Sequence, residues 1–157
     1  MTETPYDDQV ALAAAAARLP VAFETYDIAA QPTGLVIVDE VNGFATVGAG
    51  NLAPQSYNAQ AHTMVAETDL LARRFLGQSS PVFAFLDCHE PGKPEPPYPP
   101  HCEIGTGEEE LVPALQWLPD RDGVKLIRKD CINGFVGAID PETGVNAVAE
   151  WVKDGAL

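Results

Sequence analysis

The sequence predicts an α/β fold built on a parallel sheet, and three observations carry that expectation. Residues 34–39 (Gly-Leu-Val-Ile-Val-Asp) and 81–87 (Pro-Val-Phe-Ala-Phe-Leu-Asp) are continuous apolar runs rich in β-branched and aromatic residues, each ending in an aspartate. Such runs read as strands buried on both faces, the habit of parallel sheets. Between and after them lie stretches with apolar residues at helical spacing, so the order reads strand, helix, strand, helix, strand, helix. That alternation implies right-handed crossovers, with ligands expected at the carboxyl ends of the strands, where Asp39 and Asp87 sit.

The elements follow in chain order. Residues 8–18 are alanine-rich, favouring a helix that stops before Pro20; we assign residues 1–33 to an N-terminal extension and 34–157 to one domain. The first strand, read as apolar on both faces, is expected to be central in its sheet. Residues 58–76 place Ala61, Met64, Val65, Leu71, Ala72 and Phe75 at helical spacing, with Asn58 as N-cap and Gly77 at the end. The prolines at 91, 94, 96, 97, 99 and 100 make 91–100 a stiff extended loop. A short helix over 111–118, a third strand over 124–127 and a last helix presenting Val145, Val148, Ala149 and Val152 complete the pattern, with Gly155 closing it.

Composition narrows the function classes. Nine Lys+Arg stand against 23 Asp+Glu, a formal net charge of −14 that repels phosphate backbones and anionic lipid, so neither nucleic acid nor membrane is an expected partner. The apolar stretch 10–17 lacks a basic start and falls short of the roughly 20 residues of a membrane span. Three cysteines, an odd number without an export signal, argue against a disulfide framework and for the cytoplasm.

Four groups of residues could carry chemistry. Asp39 is either a turn aspartate or a general base tuned by burial. Asp87 and His89 share one face of a strand end, and a proline-rich loop could return Glu95 and His101 to them; mixed nitrogen and oxygen ligands suit Zn²⁺, Mn²⁺ or Fe²⁺. The alternative is scattered loop polarity. Lys129, after the third strand, is either a solvated charge or a partner that holds Asp39 ionised or stabilises a thiolate. Cys88, Cys102 and Cys131 read as small buried hydrophobes, since none sits in a sharp strand-to-helix turn.

Residues 39–44, Gly48 to Pro54, Asp87-Cys-His89, 96–102 with Gly105-Thr106-Gly107, and 128–135 together resemble the nicotinamidases of the isochorismatase-like cysteine hydrolases. The similarity is to their plant-type branch, where Gly-Asn-Leu-Ala-Pro, Pro-Pro-Tyr-Pro-Pro-His-Cys and Arg-Lys-Asp-Cys-Ile-Asn-Gly-Phe recur. The resemblance covers residues 34–157. It implies a three-layer α/β/α, Rossmann-like fold and hydrolysis of nicotinamide to nicotinate and ammonia in NAD salvage. It implies Asp39 as general base and Lys129 as the middle of an Asp-Lys-Cys triad. It further implies Asp87, His89 and His101 as ligands of a divalent metal, zinc first and manganese or iron next, with Glu95 as fourth ligand and Phe44 and Tyr98 lining the ring pocket. A related hydrolase of another small amide or ureido compound, and a metal- or ligand-binding fragment without turnover, are the competing readings.

In the family, the nucleophilic cysteine follows a fourth strand, which the resemblance puts beyond Leu157. The expectation is therefore an incomplete sheet whose first strand has an open edge. Such an edge favours a homo-oligomer or a complementing C-terminal polypeptide.

Overall fold

The computed structural model describes residues 14–18, 30–93 and 95–155. Of the alanine-rich helix expected over 8–18, residues 14–18 fall among these, 14–16 as one helical turn; 8–13 lie outside them. The sheet has three parallel strands: β1 (Leu35–Val38), β2 (Val82–Asp87) and β3 (Val124–Lys129), hydrogen-bonded in that order. Helix α1 (Asn42–Ala45) follows β1 directly, and α2 (Ala59–Gly77) is the crossover to β2. Two 3₁₀ turns, Pro113–Leu115 and Leu118–Asp120, precede β3; α3 (Gly134–Gly137) and α4 (Ala147–Asp154) follow it.

Strand β2 is the centre, with all six residues buried. Parallel partners point to the same side, so two faces can be followed through the register. On one, Ile37, Ala84 and Leu86 meet Ala72 of α2 and the buried Leu111, Leu115 and Leu118. On the other, Phe83 and Phe85 lie 4.9 Å apart, and Trp151 of α4 stands edge-on to Phe83 at 5.3 Å. Helices thus lie on both faces, giving the parallel α/β sheet the sequence predicts in the three-layer α/β/α arrangement the resemblance implies.

Helix α2 forms where its signals place it: the Asn58 side chain accepts hydrogen bonds from the Gln60 and Ala61 amides, two donors with no intrahelical partner. Its inward line is Ala61, Val65, Thr68, Ala72 and Phe75, spaced three and four apart. Met64 and Leu71, assigned to that stripe from spacing, are exposed, because a stripe so wide exceeds the surface one sheet face offers. In α4 the residue that docks is Trp151, with Ala147 and Val148 beside it, while Val145 and Val152 face outward.

Two other expectations need correction. Strand β1 stands at the edge of the described sheet, the open edge expected above, but it is not covered on both faces. Ile37 is 3% exposed but Val36 and Val38 are 45% and 57% exposed, because α4 lies over β2 and β3 and leaves the β1 strip of that face bare. The helix expected over 111–118 is a pair of 3₁₀ turns, since Pro113 and Pro119 remove two amide donors and Pro119 disfavours α geometry at Leu118. The segment 134–137, with no helical run in sequence, makes one turn of helix capped by Asn133, whose side chain accepts from the Val136 amide.

The one-sided burial of β1 makes a contrast that equilibrium denaturation of the chain can check. Ile37→Ala should cost about 2–5 kcal/mol, as buried large-to-small changes do, and Val38→Ala less than about 1 kcal/mol, as exposed positions do. Equal costs would contradict the burial described here.

Candidate active site

The carboxyl ends of the three strands converge on one cluster of charge. The β2–β3 register sets Asp87 beside Lys129, and β1 delivers Asp39 one residue past its end, where the Asp39 amide still donates to the Phe85 carbonyl. Asp39 then turns at φ +58°, left-handed backbone that aspartate tolerates better than most residues. The Lys129 ammonium is 2.9 Å from Asp39 Oδ2 and 2.9 Å from Asp87 Oδ1. The lysine is 3% exposed.

Burial alone would discharge this lysine, but its bonds to Asp87 and Asp39 outweigh that effect and hold its pKa above the ordinary lysine value. Burial raises the pKa of Asp39 above the ordinary aspartate value, and the charge on Asp87 adds to this, so the opposing pull of Lys129 is only partial compensation. Asp39 Oδ1 is buried and has no hydrogen-bond partner among the described residues. The pair therefore holds one fixed cation and one carboxylate oxygen free to take a proton.

The second oxygen of Asp87 faces the other way. Asp87 Oδ2 lies 2.9 Å from His89 Nε2 and 3.2 Å from His101 Nε2. Glu95 Oε2, on the proline-rich loop, lies 3.5 Å and 3.4 Å from the same two nitrogens. Asp87, His89 and His101 are all buried and each offers a ligand atom within 4.8 Å of the others. His101 Nδ1 sits 2.8 Å from the Pro99 carbonyl, which fixes Nδ1 as the N–H donor and leaves Nε2 a lone pair.

These donors fit a divalent ion. A tetrahedral ion with bonds of about 2.0–2.1 Å holds its donor atoms roughly 3.3–3.4 Å apart; the observed separations bracket that value. Buried imidazole nitrogens and carboxylate oxygens, without sulfur, are the donor set of zinc, manganese or ferrous iron.

Between the two clusters lies a cavity of about 230 Å³ lined by Asp39, Phe44, Leu52, Asp87, Glu95, Tyr98, His101, Lys129 and Ile132. Its volume lies just under the range of drug-sized sites and suits a single small ring. Phe44 and Tyr98 flank the His101 ring at 5.6 Å and 6.0 Å between centroids. Seven of the eight sequence-derived site residues line this cavity, Asp39, Lys129, Asp87, Glu95, His101, Phe44 and Tyr98, and the eighth, His89, sits beside it with Nε2 2.9 Å from Asp87 Oδ2. Leu52 and Ile132 were not singled out, although each lies inside a stretch that carries the family resemblance. A larger cavity of about 1040 Å³ runs along the outer side of β3 between Leu126, Arg128, Ile139 and Val145, away from these groups.

The cysteines are placed otherwise. Cys102 is fully buried, and burial together with the charges of Asp87, Glu108 and Asp39 pushes its thiol far above the ordinary value. Cys88 is buried with Arg128 Nη1 3.6 Å from its sulfur. Cys131 is half-buried, its thiol directed at the Asn133 carbonyl. The remaining histidine, His62, packs against Tyr57 with ring centroids 5.7 Å apart and the planes tilted, away from the site.

Metal removal gives the direct check on the donor cluster. The purified protein should hold about one divalent ion per chain, and His89→Ala should lose most of that affinity, since fewer buried ligands remain. Metal analysis showing far less than one ion in the parent protein, or an unchanged content in the variant, would contradict the assignment.

Comparison with known proteins agrees with this geometry. No family model matches the chain. Nicotinamidase 1 of Arabidopsis thaliana is 57% identical over 121 residues, which are 77% of this chain and 49% of that protein. The chain spans about half the length of the curated relative it matches. Among solved structures, a pyrazinamidase/nicotinamidase from Streptococcus mutans UA159 superposes with a TM-score of 0.61 at 17% identity, over 79% of this chain and 66% of that one. A pyrazinamidase of Pyrococcus horikoshii in complex with zinc gives a TM-score of 0.52 at 18% identity, over 78% and 63% of the two chains. With the fold, the clustered strand-end residues and this identity taken together, the chain belongs to the nicotinamidase family.

Proposed function

We propose that this site belongs to an amidohydrolase that converts nicotinamide to nicotinate and ammonia. The observation that carries the reading is the convergence, on one cavity, of the Asp39–Lys129 pair and the Asp87–His89–Glu95–His101 cluster. In this reading Asp39 Oδ1 accepts the proton of an attacking thiol, and Lys129 keeps Asp39 oriented and offers its charge to the thiolate. The thiolate forms a bond to the amide carbonyl carbon; the C–N bond breaks and ammonia leaves with the proton returned from Asp39. Water, deprotonated by the same carboxylate, then cleaves the thioester to nicotinate and regenerates the thiol.

The family resemblance puts the attacking thiol in a segment outside these 157 residues; in keeping with it, Cys88 and Cys102 are buried, Cys102 lies among carboxylates that oppose a thiolate, and the Cys131 thiol is turned to the Asn133 carbonyl. Phe44 and Tyr98 form the walls that hold the ring. Asp87, His89, His101 and Glu95 would hold a divalent ion, which when bound supplies a Lewis-acid site for the ring nitrogen or a water. We take zinc as the ion, supported by the donor set and by the zinc of the Pyrococcus pyrazinamidase. The chemistry places the protein in a pathway that recovers pyridine rings for NAD. A small amide is the partner; residues 34–157 form the N-terminal half to two-thirds of the catalytic domain and 1–33 an extension to it. No described helix is long and apolar enough to cross a membrane.

Ammonia release from nicotinamide tests the reading. The protein carrying its nucleophile should turn over, and Asp39→Asn should lower kcat at least 10³-fold while leaving bound metal unchanged, because base and ligands are separate groups. An Asp39→Asn variant within tenfold of the parent would overturn Asp39 as base. Turnover by residues 1–157 alone would return Cys88, Cys102 or Cys131 to consideration as nucleophile.

A further inference from the structure

Glu108 is absent from the chemistry above, yet it touches the backbone that carries two of the proposed ligands. We infer that Glu108 is a positioning residue for the metal centre: its carboxylate pins the peptide of Cys102, the residue that joins His101 to His89. The inference rests on the metal-binding reading of Asp87, His89 and His101.

Three observations support it. First, Cys102 adopts φ +46°, a left-handed conformation that an L-residue holds only when its surroundings impose it. Its amide is held by Glu108 Oε2 at 3.0 Å, and its carbonyl accepts from the His89 amide at 2.9 Å. One residue therefore follows one histidine directly and is hydrogen-bonded to the other. Second, the carboxylate lies in a cradle that a side chain would fill: a Cβ on Gly50 would lie 2.3 Å from Glu108 Oε2, and one on Gly43 would lie 3.1 Å from Glu108 Cβ. Third, the Gly43 amide donates to the Glu108 carbonyl at 2.9 Å. Glu108 thus ties the ligand turn to α1, which carries Phe44, and its carboxylate lies beside Gly50 of the loop that carries Leu52.

The neighbouring Glu109 does different work. Its two oxygens take the amides of Gly105 and Gly107, bracing the glycine turn itself. Only Glu108 reaches across to the ligand turn. What it supplies is an acceptor, not a charge on the ion, so an amide oxygen at the same place should serve.

Zinc affinity, read by competition with a chromophoric chelator, and the visible spectrum of the Co²⁺-loaded protein form the test, on the protein and three variants. Glu108→Ala should weaken Zn²⁺ binding about 10–100-fold, the usual loss when a group supporting a ligand is removed, and should change the Co²⁺ bands. Glu108→Gln should stay within about threefold of the parent with the parent spectrum. Gly50→Ala touches no ligand and sits outside the left-handed region, but its Cβ must displace the flexible carboxylate; it should reproduce the Glu108→Ala loss in a folded protein. Should Glu108→Ala fail to fold by circular dichroism, Gly50→Ala decides. Parent-like zinc affinity and Co²⁺ spectrum in either Glu108→Ala or Gly50→Ala, or a Glu108→Gln variant as weak as the alanine, would overturn the inference. A parent protein that binds neither ion would instead overturn the metal reading beneath it.

Discussion

The site depends on how one buried carboxylate divides its two oxygens. Asp87 Oδ1 meets Lys129, and Asp87 Oδ2 meets the two histidine nitrogens. A buried ammonium with a single partner leaves N–H donors unmet and carries a heavy desolvation cost; here two carboxylates share it. Removing either Asp39 or Asp87 would leave the ammonium one carboxylate partner, with N–H donors unmet in a place that water reaches poorly. The same division gives each half of the site its own role while locking their relative position, since both hang on one side chain at the end of the most buried strand.

Around that carboxylate the fold places special backbone where ordinary elements end. Asp39 and Cys102 both take positive φ without being glycine, one aiming a carboxylate after β1 and the other linking two histidines. Strain of this kind persists only where surroundings over-determine it, and both residues are held by main-chain bonds: the Asp39 amide to Phe85, the Cys102 carbonyl to His89. The proline-rich loop restricts the backbone freedom of the segment that carries Glu95 and Tyr98, so less entropy is lost in closing it over the site.

Much of this was legible in the sequence, for identifiable reasons. The α2 cap at Asn58, the buried β2 and the strand-end positions of Asp39 and Asp87 follow from local pattern, and the local rules held because each is satisfied within a few residues. The positions of Glu95 and His101 depend on loop closure, which spacing alone left open; the family resemblance supplied them. What escaped notice was set by tertiary cover. Nothing in Leu-Val-Ile-Val reveals that α4 shields β2 and β3 but leaves Val36 and Val38 bare, and a valine stripe in 145–152 drew attention from Trp151, the residue with the largest area to bury. Glu108 was hidden in a run of three glutamates, where only the glycines at 43 and 50 hint that a side chain needs room.

Zinc K-edge X-ray absorption on the metal-loaded protein addresses the central claim most directly, because it counts the atoms around the ion. The arrangement of Asp87, His89, Glu95 and His101 calls for nitrogen and oxygen neighbours at about 2.0–2.2 Å, with the multiple scattering of two imidazole rings and no sulfur shell. A zinc–sulfur distance near 2.3 Å, or scattering from fewer than two imidazoles, would place the ion elsewhere and contradict the shared role of Asp87.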